Sequence, residues 1–173
     1  GVGREVSAAF FDLPRARRVF LGTERGEILT VNYVTGEVMS AAWPHVGEVG
    51  GLAFCPDTQC VISRGVDGTL RVFRDDRSRL ASLRCVEHAH RGAAITCMAY
   101  SQRLSCVASG DVEGWVALWD FQTLQQHARL RCAGAASTVA LLDPHPILVA
   151  GDATGALVAW RLSFPEPGYL RAD

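Results

Sequence analysis

The sequence predicts an all-β chain of four repeated units, each built from short antiparallel strands, and two observations carry that prediction. Glycines that each open a strand-like apolar run recur at Gly26, Gly68, Gly114 and Gly155, with spacings of 42, 46 and 41 residues. Seventeen glycines and seven prolines punctuate the 173 residues at intervals mostly too short for long helices. With 49% hydrophobic and 20% charged residues, the chain can bury a core.

The first strand of each unit falls at residues 6–11, 49–54, 95–100 and 138–142. Turn residues end these runs at Leu13-Pro14, Pro56-Asp57, Ser101-Gln102 and Asp143-Pro144, where proline lacks a donor and aspartate or serine caps a turn. The second strand is a short apolar stretch at 19–21, 61–62, 107–108 and 148–150, closed by Gly22, Arg64, Gly110 and Gly151. The third opens at the repeated glycine, as in Gly68-Thr69-Leu70-Arg71-Val72-Phe73 and Gly114-Trp115-Val116-Ala117-Leu118-Trp119. Two β-rich runs joined by a Gly/Asp turn make a hairpin. The fifth residue after the glycine is Val31, Phe73, Trp119 or Trp160, a repeated position read as core. A fourth strand is visible at 37–43, 80–86 and 128–132. In the last unit Ser163-Phe164-Pro165-Glu166-Pro167-Gly168 argues against a fourth strand. Four strands per about 42 residues is one β-propeller blade.

The stretch Pro44-His45-Val46-Gly47-Glu48-Val49-Gly50-Gly51-Leu52-Ala53-Phe54-Cys55-Pro56-Asp57 resembles the opening of a WD repeat, with Pro-His in place of Gly-His, and Trp119-Asp120 is that family's signature dipeptide. The resemblance spans essentially the whole chain and is best in the second and third repeats. It implies a WD-type propeller segment over residues 1–164, with repeats at about 5–44, 45–88, 89–134 and 135–164 and a linker or tail at 165–173. Propellers of this family close with seven or eight blades, so the remaining blades are expected from a parent chain or a partner. The opening Gly1-Val2-Gly3, without methionine, fits a piece of a longer polypeptide.

The family resemblance also implies a buried tetrad of aspartate, histidine, strand Ser/Thr and tryptophan. The aspartate position holds Arg25, Asp67, Glu113 and Thr154. The second repeat has Asp67 and His45 but Phe73; the third has Trp119 with His88 or His90 but Glu113. Blades with incomplete tetrads should rest mainly on apolar packing, with partly wet turns.

No catalytic residue, metal site or cofactor is expected. The five histidines belong to no nucleophile or metal motif, and the six cysteines form no CxxC pair. Thiols inside apolar runs such as Cys60-Val61-Ile62 read as small hydrophobes in a reducing compartment. Gly110-Asp111-Val112-Glu113-Gly114 and Gly151-Asp152-Ala153-Thr154-Gly155 lack the Walker lysine and a following helix, so they read as hairpin turns with solvated acids. The net charge of −1, with arginines scattered and densest at Arg15 to Arg18, argues against nucleic acid and for a solvated turn there. No apolar run approaches the ~20 residues that cross a bilayer.

The expected function is a non-catalytic platform that binds other proteins of a multiprotein assembly. Its candidate contacts are His88 and His90 in an inter-blade loop, Trp115 beside a turn glycine, and Arg64. Three stretches, Arg17-Arg18-Val19-Phe20-Leu21-Gly22-Thr23-Glu24-Arg25-Gly26-Glu27-Ile28, Val34-Thr35-Gly36-Glu37 and Arg71-Val72-Phe73-Arg74-Asp75-Asp76, resemble the WD-repeat proteins of cilia that sometimes carry EF-hands. That resemblance implies an axonemal structural protein of the cytoplasm and cilium, docked on microtubule-associated assemblies; no EF-hand lies within these residues. The rival expectations are a cytosolic adaptor of a degradation or trafficking complex, and a propeller enzyme, which would require convergent acids, bases or ligands.

Overall fold

The computed structural model describes residues 4–13, 15–166 and 169–172. Every regular element among them is a strand: β1 Val6–Phe11, β2 Arg18–Thr23, β3 Ile28–Asn32, β4 Val38–Ala42, β5 Val49–Cys55, β6 Cys60–Gly65, β7 Leu70–Asp75, β8 Leu80–Val86, β9 Ile95–Ser101, β10 Cys106–Asp111, β11 Trp115–Asp120, β12 Gln126–Arg131, β13 Ala136–Leu141, β14 Ile147–Asp152, β15 Leu157–Glu166 and β16 Tyr169–Ala172. They form four four-stranded antiparallel meanders, β1–β4, β5–β8, β9–β12 and β13–β16, the blades 1 to 4.

The four repeated glycines have φ of +84, +74, +87 and +86°, a left-handed backbone that glycine alone adopts without penalty. That demand is why they recur. Ladder irregularities repeat as well. The first pair of each blade slips at Val6/Ala8, Val49/Gly51, Gly110/Asp111 and Ala136/Thr138. The outer pair slips at Thr30/Val31, Val72/Phe73 and Leu118/Trp119. Such bulges sharpen the local twist, so all four blades are twisted at the first level and blades 1 to 3 also at the second.

The single propeller segment expected from sequence divides into two compact units, Gly1–Gly92 and Ala93–Asp173. Each unit packs two sheets about its own apolar core. In the first, Phe20 and Ile28 of blade 1 meet Val49, Leu52, Phe54, Val61 and Phe73 of blade 2, with the Phe20 and Phe54 rings stacked at 5.3 Å. In the second, Cys106, Ala108, Val116 and Leu118 of blade 3 meet Val139, Leu148, Ala150 and Leu162 of blade 4. Period-2 alternation places these residues on one face of each strand. All six cysteines are free thiols; five are buried and Cys85 is exposed. Burial pushes the Cys106 thiol up to about 12.

One expectation is corrected. The sequence predicts a tail at residues 165–173 and a fourth blade short of its outer strand, yet β15 runs on to Glu166 and β16 pairs with it. The register shifts between Ser163 and Glu166, across Pro165, so the ladder demands no donor from the proline.

Candidate functional site

The second blade contains a hydrogen-bonded chain that looks, atom by atom, like hydrolase machinery. Ser63 Oγ lies 2.7 Å from His45 Nε2, and His45 Nδ1 lies 3.1 Å from Asp67 Oδ1. The sequence named Asp67 and His45; the family tetrad called for a strand Ser/Thr, and in the structure Ser63 fills that place. Here the chemistry is structural. Ser63 is fully buried and the His45 side chain has no exposed surface, so no substrate reaches the hydroxyl. Burial holds His45 below the ordinary histidine range against the opposing pull of Asp67. The Asp67 carboxylate is pushed up by burial, but hydrogen bonds from the Val46 and Thr69 N–H groups and the Thr69 hydroxyl outweigh it and hold the pKa below the usual value. Asp67 therefore fastens the β6–β7 turn to the segment leading into β5. Phe73, in the tryptophan position, packs in the core at 3% exposure.

In blade 3 the Trp119 indole N–H donates to Ser109 Oγ at 2.8 Å, both residues being buried. The turn acids of blades 3 and 4 correct another expectation. Instead of solvated acids in wet turns, Asp111 is fully buried and Asp152 is 6% exposed. Asp111 Oδ1 accepts from the N–H groups of Glu113 and Trp115. Asp152 accepts from Thr154 and Ala156 through Oδ1, and from Ala133 and Gly134 through Oδ2. The Thr154 hydroxyl and these N–H donors hold Asp152 down to about 2. Both acids stand three residues before the repeated glycine, two residues upstream of the position the family resemblance assigned. Their Gly-Asp pairs, Gly110-Asp111 and Gly151-Asp152, were the legible signal. Asp120 plays a similar part at the β11–β12 turn, accepting from the Thr123 N–H and hydroxyl at 2.6 and 2.8 Å. Trp160 is half-buried against the core of the second unit.

The candidate contacts scatter rather than converge. His88 is exposed, with φ +53°, whereas His90 is 1% exposed; as a surface contact His90 is therefore corrected, since the turn that projects His88 folds the next-but-one residue inward. Arg64 is half-buried, with its guanidinium laid across the backbone of Gly50 and Gly51, which have no side chain to exclude it. Trp115 is half-exposed on β11, with the guanidinium carbons of Arg129 and Arg131 at 4.2 and 4.7 Å from its ring. Register explains the cluster: Trp115 pairs with Arg131 across β11–β12, and Arg129, two residues earlier on β12, shares the face. No group of three or more His, Cys, Asp or Glu side chains able to hold a metal occurs among the described residues.

Four twisted four-stranded meanders with inward-packed faces define a partial β-propeller, the class the sequence predicted. Within it the WD domain, G-beta repeat (WD40), matches residues 35–74 and 81–120. Each match takes in the outer strand of one blade and the first three strands of the next, so repeat and blade are one strand out of step. Among solved structures the chain is similar to the β-propeller domain of Myceliophteria thermophila Cps50 (Swd1), at 15% identity and TM-score 0.83 over 92% of this chain and 54% of that one. It is also similar to the computationally designed Ika4 protein, at 25% identity and TM-score 0.76 over 93% of both chains. The computationally designed Ika8 protein matches at 23% identity and TM-score 0.73, over 93% of this chain and 53% of that one. The chain thus spans about half the length of two of these neighbours. A WD40-repeat propeller implies a protein–protein interaction scaffold, and the fold is typically non-catalytic.

Proposed function

We propose that the protein is a non-catalytic docking scaffold and a structural component of a large assembly such as the ciliary axoneme. The observation that carries the docking reading is the Trp115 platform. A half-exposed indole flanked by two guanidiniums, on a hydrogen-bonded sheet, presents at little conformational cost the side-chain types that dominate binding hot spots. The axonemal part rests on the sequence resemblance of residues 17–28, 34–37 and 71–76 to ciliary WD-repeat proteins.

The test is fractionation of ciliated cells expressing the tagged full-length protein. Retention on detergent-extracted, salt-washed axonemes is expected, with Trp115→Ala reducing it at unchanged melting temperature. Release of the wild type into the soluble cytosolic fraction would overturn the axonemal reading and point to a cytosolic adaptor. Turnover of a small-molecule substrate by the purified protein would overturn the scaffold itself.

A further inference from the structure

In the first unit, a buried ion network locks two arginine-bearing turns together. Arg18, at the start of β2, donates through Nε to Asp12 Oδ2 at 3.0 Å, and its Nη1 lies 2.6 Å from Asp75 Oδ2 at the end of β7. The three side chains are only 9, 3 and 1% exposed. The same carboxylates hold the turn backbones: Asp12 Oδ1 accepts from the Arg17 and Arg18 N–H groups, and Asp75 Oδ1 from the Arg77 N–H. The β1–β2 turn of blade 1 and the β7–β8 turn of blade 2 are thereby fixed relative to each other.

Above the network opens a cleft of about 660 Å³ whose lining includes Arg15, Arg17 and Arg77, all exposed, together with Met39. That volume lies within the 300–1,000 Å³ common for ligand sites. Among the described residues none of these three guanidiniums has an ion-pair partner, whereas Arg18 is ion-paired with two acids. A smaller hollow adjoins on the side of Leu13 and Pro56, sharing Asp12, Arg15 and Arg18. Beside it, the Tyr33 N–H donates to the Arg17 carbonyl, which sets the exposed, edge-to-face Phe11–Tyr33 pair next to the arginine rim.

We propose that this cleft binds an acidic peptide segment of a partner protein, with carboxylates along the chain and apolar side chains between them; the inference rests on the scaffold reading. Three guanidiniums on two separate turns suit several spaced anions better than one phosphate. Met39 in the cleft wall, with Leu13 and Pro56 in the adjoining hollow, suits peptide side chains, and a phosphodiester backbone leaves these surfaces unfilled. A chain of net charge −1 and pI ≈ 6.6 also lacks the wide positive field that gathers nucleic acid. Because the turns are already locked, little ordering remains to oppose binding.

The test is fluorescence anisotropy on the full chain with a labelled peptide alternating glutamate and leucine. Saturable binding that weakens with salt is expected, with no binding of the glutamine–leucine counterpart. The triple variant Arg15→Gln/Arg17→Gln/Arg77→Gln should bind the acidic peptide about tenfold or more weakly at unchanged melting temperature, because its sites are exposed and their neighbours' ladder bonds are backbone. The proposal is overturned if the triple variant binds equally well, if the acidic peptide does not bind, or if a single-stranded oligonucleotide of equal charge binds more tightly through the same three arginines. Failure here leaves axonemal retention and its Trp115 dependence untouched, while a failed retention test leaves the peptide measurement standing, so the two are separable.

Discussion

Trp119 joins apolar burial and a polar tie in one side chain, and two substitutions separate them. Trp119→Ala removes the buried ring and should cost about 3–5 kcal/mol in chemical denaturation. Trp119→Phe keeps most of the volume but removes the indole donor to Ser109 Oγ, and a loss of about 0.5–1.5 kcal/mol is expected. Equal losses would mean that the indole N–H, not the ring, dominates. His45 supplies a pH signature. Its folded pKa is lowered from 6.5, so above 6.5 it is neutral in both states and its full contribution is present. As pH falls below 6.5 the unfolded chain takes up the proton more readily, and stability is lost toward the folded pKa. A second loss follows below 3.8, where Asp67, and Asp152 with its pKa of about 2, resist protonation in the fold. The urea midpoint should therefore fall between pH 6.5 and 5, and that slope should flatten in His45→Gln; an unchanged slope would place the titration elsewhere. His45 and Asp67 were legible because they stand at fixed offsets in a motif. The family tetrad called for a strand Ser/Thr, but its identity as Ser63, the part of Ser109 and the burial of His90 were not legible, since a mid-strand serine or a loop histidine has no local pattern that tells buried from exposed.

The recurring glycine turn is the element that sets the hairpins, and it can be dissected into backbone strain and space. Gly114 and Gly155 have nearly the same φ, +87 and +86°. A Cβ at Gly155 would meet open space, whereas at Gly114 it would come within 2.4 Å of the Gly134 carbonyl oxygen. Gly155→Ala should then cost only the left-handed penalty of about 1–2 kcal/mol, and Gly114→Ala clearly more, because the backbone joining β12 to β13 must move. Equal melting shifts would mean that this linker yields freely. Strand starts were readable from the sequence to within a residue or two, since alternation and turn chemistry are local, whereas β15 runs on past Trp160 to Glu166. The outer strand β16 was missed because Pro165 argues against a regular ladder, and only the register shift shows how a strand continues past it. The acids Asp111 and Asp152 were seen as turn residues, but their burial depends on the backbone they cap.

For the whole molecule, the end sheets decide solution behaviour. Opposite its core residue Phe20, blade 1 presents half-exposed Val19, Leu21 and Val31. Opposite Leu148 and Ala150, blade 4 presents half-exposed Val149, exposed Ala159 and Leu157 at 76% exposure. Apolar sheet faces of this kind are normally covered, so the isolated 173 residues should self-associate in light scattering. A monodisperse monomer that melts cooperatively would show that these faces tolerate water. By itself the sequence determined the all-β class, the repeat of about 42 residues, the glycine-opened hairpins and the histidine–aspartate pair, because each follows from alternation, φ preference or a motif within a few dozen residues. Only the tertiary structure decided the division into two units, the Asp12–Arg18–Asp75 lock, the arginine-lined cleft and the stacking of Arg129 and Arg131 on Trp115. Those features join side chains from different strands and blades, and their geometry is fixed by register and packing rather than by neighbours along the chain.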